Sequence, residues 1–297
     1  MGKQEVYTFN SKDGHSIIHC RKWLSDSEPV AVLQLVHGMV EHIGRYDDFA
    51  TYMAGKGYVV VGHDHIGHGH TATSREELGV MTGAHPSNDM VEDIYTHYAM
   101  TKKAYPNLKY FIMGHSMGSY MLRKFLSVKS AYLEDLDGAI IMGTGQESVF
   151  SSSVGLAFIN VLSVIRGKNY RSSLVRNMTY GKAYKKYDCT GKDLANSWLS
   201  KNIENIDAYY HDPLSHFTFT LNAYKGLVEA VKYDATAQCV NSMRKNIPLL
   251  VVSGEEDPVG NLGEGTRAAA DALKEAGIKD VILKLYKEIG RASCRER

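Results

Sequence analysis

The sequence has 297 residues, of which 44% are hydrophobic, 23% are charged and 10% are aromatic. This composition can supply a sizeable buried core, and it excludes a disordered, collagen-like or coiled-coil chain. The 34 basic and 33 acidic residues give a formal charge of +1, which is too even for a protein that binds nucleic acid through its overall charge.

The start of the chain lacks the apolar stretch of a secretory signal. The longest apolar run, from Val154 to Ile165, is shorter than the roughly 20 residues that a membrane-spanning helix needs. The four cysteines are far apart and show no CxxC spacing, which is typical of neither a disulfide framework nor a zinc knuckle. We therefore expect a soluble, cytoplasmic protein.

The predicted elements begin with two extended segments, Glu5–Asn10 and His15–Trp23, which form a β-hairpin around turn residues. Apolar strand-like runs then alternate with helical runs. The predicted strands are Val30–Val36, Tyr58–Val61, Leu108–Met113, Gly138–Met142, Pro248–Ser253 and Val281–Tyr286. The predicted helices are Tyr46–Lys56, Asn88–Ala104, Gly118–Val128, Leu221–Val231 and Gly265–Ala276. This alternation favours an α/β fold with a mostly parallel sheet flanked by helices.

One segment, residues 146–212, interrupts the alternation because it contains helical patterns and no strand-like block. We interpret it as a helical cap inserted into a core domain that comprises residues 1–145 and 213–287. Such a cap is expected to lie over the carboxyl ends of the strands, where open α/β sheets bind ligands.

The most specific motif is Gly114-His-Ser-Met-Gly118, a GxSxG sequence between a predicted strand and a predicted helix. This context is the one required by a nucleophile elbow, a tight turn that exposes the serine hydroxyl above the sheet. The two glycines are needed where a side chain would collide with the neighbouring backbone. We therefore predict that Ser116 is a catalytic nucleophile.

An oxyanion hole is predicted beside that serine. The His37-Gly38-Met39 sequence directly follows the first strand after the hairpin, and the loop at this place supplies one of the two backbone donors in this architecture. The amides of Met39 and Met117 would then stabilise the developing alkoxide, and each such donor contributes about 3 kcal/mol.

A catalytic acid is predicted after the strand Pro248–Ser253, in the order serine, acid, histidine along the chain. Three acids compete there, namely Glu255, Glu256 and Asp257. The position of Asp257 before Pro258 favours an extended backbone for this residue, whereas a solvated acidic loop suits the two glutamates better.

A different chemistry is suggested by the HxHxxH spacing of His63, His65 and His68. This spacing resembles the zinc-binding stretch of metallo-β-lactamase-fold hydrolases, and neutral histidines at such a spacing can bind zinc. However, Gly67 stands where that stretch usually has an aspartate, and no further set of ligands is apparent. A loop ordered by hydrogen bonds is the alternative, and we predict neither a metal nor a cofactor.

Taken together, the motifs resemble the monoacylglycerol lipase and lysophospholipase branch of the α/β-hydrolases, from about Val30 to Tyr286. The motifs that carry the resemblance are His37-Gly-Met-Val-Glu-His42, Asp64-His-Ile-Gly-His-Gly69, Gly114-His-Ser-Met-Gly118 and Gly254-Glu-Glu-Asp-Pro-Val259. The resemblance implies an α/β-hydrolase fold and ester hydrolysis through an acyl-enzyme without a cofactor. It also implies that Ser116 is the nucleophile, Asp257 the triad acid, and Met39 and Met117 the oxyanion donors.

The chain departs from the family in one respect, because its last histidine is His216. The family's catalytic histidine follows the last strand, here Val281–Tyr286, by two to five residues. This chain continues instead with Lys287-Glu288-Ile-Gly-Arg. We therefore leave the triad histidine unassigned, expect residues 288–297 to be a non-native tail, and expect the chain as written to be inactive or impaired.

The sequence thus predicts a serine hydrolase of lipid-like carboxylic esters, either monoacylglycerols or lysophospholipids. A small-ester or peptidase-like member of the fold, and a catalytically silent binding member, remain alternatives. Residues 148–187 include seven basic residues and no acidic one. An apolar helix beside basic residues is typical of a surface that contacts lipid, so we expect transient contact of the cap with lipid and no nucleic-acid partner.

Overall fold

The computed structural model describes residues 3–179 and 184–287. Its strands are β1 (Gln4–Asn10), β2 (Ile17–Trp23), β3 (Ala31–Val36), β4 (Tyr58–His63), β5 (Lys109–His115), β6 (Gly138–Met142), β7 (Leu249–Gly254) and β8 (Val281–Tyr286). Its α-helices are α1 (Asp47–Gly55), α2 (Pro86–Ala104), α3 (Met117–Val128), α4 (Val149–Arg166), α5 (Ser173–Thr179), α6 (Ile203–His211), α7 (Leu221–Asp234), α8 (Ala237–Ser242) and α9 (Glu264–Glu275). Short 3-10 turns lie at Ile43–Tyr46, Ser130–Tyr132 and Leu194–Asn196.

The strands form one eight-stranded sheet in the order β1-β2-β4-β3-β5-β6-β7-β8. The β1–β2 hairpin is antiparallel, and β2 pairs antiparallel with β4. All further pairs, from β4 to β8, are parallel. The predicted hairpin and the predicted mostly parallel sheet are therefore both confirmed.

The sheet is covered on both faces, as the uninterrupted apolar strands require. Strand β3 illustrates this, since all six of its residues are buried. Val32 and Val36 belong to one apolar cluster, whereas Leu33 and Leu35 belong to a second cluster together with residues of α1. Successive side chains of a strand point to opposite faces, so the centre of the sheet is shielded from water on both sides.

The segment predicted as a cap contains α4, α5 and α6. Helix α4 begins at Val149, where Ser148 caps it by accepting a hydrogen bond from the Ser151 amide at 3.0 Å. The helix packs against α7, and Ile159 joins the large apolar cluster of the core.

Helix α4 is longer than the apolar run that the sequence suggested. It has 18 residues, and by length and composition alone it could cross a membrane, because its first turn adds apolar residues before Val154. The expectation that this stretch is too short to span a bilayer was therefore wrong. Several of its large side chains are exposed: Phe150, Val154, Val161, Val164 and Ile165.

Candidate active site

Ser116 occupies a strained turn between β5 and α3. Its backbone has φ 52° and ψ −118°, a left-handed φ that residues other than glycine rarely adopt. Its amide donates to the Met142 carbonyl at 2.9 Å on the neighbouring strand, which holds the turn against the sheet. Backbone strain of this kind costs on the order of 1–3 kcal/mol and is concentrated at functional sites.

The two glycines of the motif are required by close backbone contacts. A Cβ atom at Gly118 would overlap the Val36 carbonyl, and a Cβ atom at Gly114 would overlap the carbonyl of Gly118. Strand β3, strand β5 and the start of α3 therefore approach each other more closely than side chains would allow. The sequence predicted this role for both positions.

The loop after β3 passes directly beside the serine. A Cβ atom at Gly38 would lie 3.2 Å from Ser116 Cβ, so the loop leaves no room for a side chain there. The Gly38 amide donates to Glu41 Oε1 at 2.6 Å and is thus unavailable as an oxyanion donor. Among the loop hydrogen bonds of the described residues, none has the Met39 or the Met117 amide as its donor. The assignment of these two amides to an oxyanion hole stays a prediction.

A buried network around Glu41 supports this loop, and the sequence did not reveal it. Glu41 Oε1 accepts from the Tyr46 hydroxyl at 3.0 Å and lies 3.1 Å from His115 Nδ1, and Arg45 Nε lies 3.5 Å from the other carboxylate oxygen. Burial alone would raise the pKa of Glu41, but the hydrogen bond and charge of His115, with the charge of Arg45, lower it well below its usual value. Glu41 is therefore a carboxylate that joins the loop to the nucleophile elbow.

Asp257 is fully buried at the end of β7, unlike its two competitors. Its carboxylate accepts from the Ser253 hydroxyl at 3.0 Å and from the Val259 amide at 2.9 Å. Glu255 and Glu256 are partly exposed and form ion pairs with Arg267 at 4.0 Å and Lys201 at 3.0 Å, respectively. A fixed, buried carboxylate is what a triad acid requires, so the burial and the hydrogen bonds favour Asp257 among the three candidates.

Gly143 lies between Asp257 and the residue that precedes the serine. A Cβ atom at Gly143 would lie 3.4 Å from Asp257 Oδ2 and 3.7 Å from His115 Nε2, and the backbone here has a positive φ of 61°. His115 Nε2 is buried and has no hydrogen-bond partner within the described ranges. The backbone of Gly143, directly after β6, is therefore close to both the Asp257 carboxylate and the His115 ring.

No imidazole is hydrogen-bonded to the Ser116 hydroxyl. The described residues hold all 13 histidines of the chain, and within them the serine hydroxyl has no such partner.

Strand β8 ends beside the acid, since Tyr286 pairs with Gly254 and its carbonyl accepts from the Glu255 amide at 2.9 Å. The end of β8 therefore lies next to the loop that carries Asp257. The tail 288–297 itself lies outside the described residues.

The histidine-rich stretch after β4 is a buried hydrogen-bonded loop. His65 Nε2 lies 3.2 Å from the His37 carbonyl, His68 Nδ1 lies 2.9 Å from the Ile66 carbonyl, and His63 Nδ1 lies 3.0 Å from His97 Nδ1. Burial lowers the pKa of His68 and of His97 to about 3, which keeps both rings neutral. The described part of the chain holds no group of three or more residues that could bind a metal ion. The hydrogen bonds of these rings to carbonyls and to one another favour the ordered loop over a zinc site.

A cavity of about 220 Å³ lies beside the predicted oxyanion loop. Met39 and Val40 line it from the core, and Tyr209, Phe217 and Tyr224 supply aromatic walls. The lining also includes polar residues, namely Arg176, Asn177, Thr190, His216 and Thr218. The cavity can therefore receive a ligand that has both a hydrophobic and a polar part.

Comparison with known proteins identifies the family. Residues 27–290 match the profile of the serine aminopeptidase S33 family. The chain belongs to this family. It is 38% identical to human monoglyceride lipase over 286 residues, a match that covers 95% of this chain and 82% of the relative. It is 27% identical to monoacylglycerol lipase of Mycolicibacterium smegmatis over 268 residues, which covers 89% and 82% of the two chains.

Solved structures show the same fold. A thermostable carboxyl esterase from Bacillus coagulans superposes with a TM-score of 0.87 at 25% identity, covering 100% of this chain and 94% of the other. A soluble variant of monoglyceride lipase from Saccharomyces cerevisiae superposes with a TM-score of 0.74 at 15% identity, covering 98% and 89%. The predicted α/β-hydrolase fold and the resemblance to monoglyceride lipases are confirmed.

Proposed function

We propose that this chain carries the framework of a serine hydrolase that cleaves carboxylic esters of lipid-like substrates through an acyl-enzyme. The strained backbone of Ser116 is the observation that supports this best, because a left-handed φ of 52° at a serine between a strand and a helix is the conformation that a nucleophile elbow requires. Nucleophilic attack by Ser116 would form the acyl-enzyme and release the alcohol, and water would then release the acid. Met39 and Met117 would hold the oxyanion, and Asp257 would orient a histidine.

The substrate class follows from the cavity and from the relatives. The cavity beside Met39 has aliphatic and aromatic walls together with polar groups such as Arg176 and Asn177, and several relatives that match most of this chain are named monoglyceride or monoacylglycerol lipases. An ester with a long acyl chain and a small polar alcohol, such as a monoacylglycerol or a lysophospholipid, suits both observations. A small-ester or peptidase-like activity is the alternative within the family, and a comparison of acetyl with decanoyl esters distinguishes the two.

Contact of the cap with a lipid surface is part of the proposal. Phe150 at 80% exposure and Val164 at 88% exposure leave large apolar side chains in contact with water on α4. Basic residues lie at the end of this helix and after it, beginning with Arg166, whose guanidinium lies 4.4 Å from the ring centroid of Tyr170. Insertion of such side chains at a lipid surface removes apolar area from water. Lys182, one of the seven basic residues, lies outside the described part of the chain.

The missing histidine favours a second candidate, a member of the fold that binds esters without turning them over. A serine hydroxyl is a weak nucleophile at neutral pH unless a base takes its proton, and no histidine follows Asp257 in this sequence. We therefore expect the chain as written to be inactive or strongly impaired. We also propose a cytoplasmic location, as the sequence suggested.

An activity-based probe tests the proposal. The chain is incubated with a fluorophosphonate, and the adduct is located by peptide mass spectrometry, with Ser116→Ala as the control. We expect any adduct to form slowly and on Ser116 alone. An adduct on another residue, or an esterase activity that a chelator abolishes, would contradict the proposed nucleophile.

A further inference from the structure

A second cleft adjoins the cavity beside Met39. It has a volume of about 330 Å³ and lies between the loop after β4, which contributes Arg75 and Leu78, and the segments that contribute Arg171, His216 and Phe217. We call it the arginine cleft. His216 and Phe217 line both the arginine cleft and the cavity beside Met39. The two spaces therefore adjoin each other at these two side chains.

Arg171 is held in the cleft by backbone carbonyls. Its Nη1 atom donates to the Thr218 carbonyl, and its Nη2 atom donates to the Glu76 carbonyl at 2.8 Å. A guanidinium has five N–H donors, so three remain after these two contacts. In the described ranges no carboxylate forms an ion pair with Arg171. Its positive charge is therefore fixed in position without being neutralised.

Arg75 supplies a second guanidinium, which is exposed. Within the described parts of the chain it forms neither a hydrogen bond nor an ion pair. Glu76 is the acidic residue of the lining, and hydrogen bonds to its carboxylate from its own amide and from Ser74 lower its pKa. The charge of Arg75 contributes to this lowering, yet Glu76 makes no direct ion pair with either arginine. The cleft thus has two cations and one anion.

His216 stands at the boundary between the two spaces in a strained conformation. Its backbone has a φ of 55°, and its amide donates to the Val40 carbonyl at 3.2 Å, next to the predicted oxyanion donor Met39. Its ring packs edge to face on Tyr210, with the ring centroids 4.7 Å apart. Backbone strain of this kind is concentrated at binding and catalytic positions, and His216 lines two adjoining spaces.

We infer that the arginine cleft binds the phosphate of an anionic lysophospholipid, a glycerol phosphate monoester whose acyl ester lies beside Ser116. This inference rests on the proposed ester-hydrolase function and names the head group that the site prefers. Two guanidinium groups are well suited to a phosphate, because each can donate two parallel N–H bonds to its oxygens. A neutral glycerol head group would use neither positive charge.

Calorimetric titration of the full chain tests the inference with uncleavable ether lipids, so the result does not depend on turnover. The probes are 1-O-octylglycerol 3-phosphate, 1-O-octylglycerol and inorganic phosphate, each below its micellar concentration where it has one. We expect the phosphorylated ether to bind at least about tenfold more tightly than the neutral ether. Arg75→Gln should remove about five- to tenfold of that affinity and leave the binding of octylglycerol unchanged.

The variants separate this inference from the proposed function. Arg171→Gln should have a similar effect, but it also removes backbone contacts, so Arg75→Gln is the decisive variant. Lys192→Gln removes one exposed cap charge outside the cleft and should change nothing. Equal affinity for both ethers, or an Arg75→Gln variant without effect, would overturn the head-group assignment alone. Free phosphate that binds as tightly as the phosphorylated ether would overturn it as well. Failure of both ethers to bind would instead contradict the proposed lipid-ester site.

Discussion

The Nδ1 atom of His115 lies 3.1 Å from the carboxylate oxygen Oε1 of Glu41, although 74 residues separate the two in the chain. A carboxylate with a lowered pKa only accepts hydrogen bonds, so Nδ1 carries the proton of this contact. Because His115 precedes Ser116 and Glu41 closes the loop of Gly38, the pair joins the two backbone segments that would form the oxyanion hole.

Glu41→Gln should therefore weaken both the fold and the site. The loss of a buried charged hydrogen-bond acceptor costs about 2–3 kcal/mol of unfolding free energy, which urea unfolding measures. Tyr46→Phe removes one donor to the same oxygen and should cost about 1 kcal/mol. A Glu41→Gln protein as stable as the parent chain would show that the network does not support the loop.

Asp257 should matter only when a histidine is present. A triad acid acts through the imidazole that it orients, so Asp257→Asn should change the fluorophosphonate reaction rate of the parent chain by less than about threefold. In a variant that carries a histidine shortly after Lys287, the same substitution should cost about 10³-fold or more. Glu256→Gln is the matched control and should be neutral in both backgrounds. If Glu256→Gln lowered the rate in the histidine-bearing variant and Asp257→Asn did not, Glu256 would be the triad acid.

The buried histidines predict a loss of stability in mild acid. Burial lowers the pKa of five histidines: His37, His63, His65, His68 and His97. The unfolded chain binds these protons below about pH 6.5 and the folded chain does not. The stabilisation is therefore complete above that pH and is lost as the pH falls towards about 3, the folded pKa of His68 and His97.

Two carboxyl groups oppose this trend. Burial raises the pKa of Asp93 and of Asp234 to about 7, so they destabilise the fold as the pH rises from about 4 to 7. On acidification, the loss of stability caused by the five imidazoles exceeds the gain from the two carboxyl groups. We therefore expect the free energy of unfolding to fall by about 2–5 kcal/mol between pH 7.5 and 5.5. His68→Asn should reduce this difference, whereas substitution of the exposed His15 should not. A stability that rises on acidification would contradict the assignment.

The exposed apolar face of α4 predicts binding to lipid vesicles. The double variant Phe150→Ser, Val164→Ser should lower partitioning onto phosphatidylcholine vesicles at least about tenfold, since each side chain contributes about 1.5–3 kcal/mol when it leaves water. Tyr132→Ser, an exposed aromatic outside the cap with 64% exposure, is the matched control. Equal partitioning of both variants, measured by co-sedimentation, would exclude α4 as the contact.

Much of the fold could be predicted from the sequence because its strands are continuous apolar runs. The segments Gly138–Met142 and Val281–Tyr286 are strands with the predicted bounds, and β5 extends two residues further, into the motif of Ser116. Helix α8 was not predicted, since its six residues are too few to show a helical period.

The positions of the candidate site were predictable where a local backbone turn demands special residues, as at Gly114, Ser116 and Gly118. The contacts of Glu41 with His115, and of Arg171 with the Thr218 carbonyl, join segments far apart in the chain. No local periodicity encodes such pairs. They depend on the sheet order, which the predicted elements alone do not specify.

The central claim is that Ser116 is a nucleophile that lacks only its histidine. The decisive measurement is the rate of fluorophosphonate addition at Ser116 in the parent chain and in Glu288→His, Ile289→His and Gly290→His variants, with Ser116→Ala in each background. We expect slow addition in the parent chain, acceleration of at least about 100-fold in one or more variants, and no adduct after Ser116→Ala. Rapid addition in the parent chain, or an adduct that survives Ser116→Ala, would contradict the account.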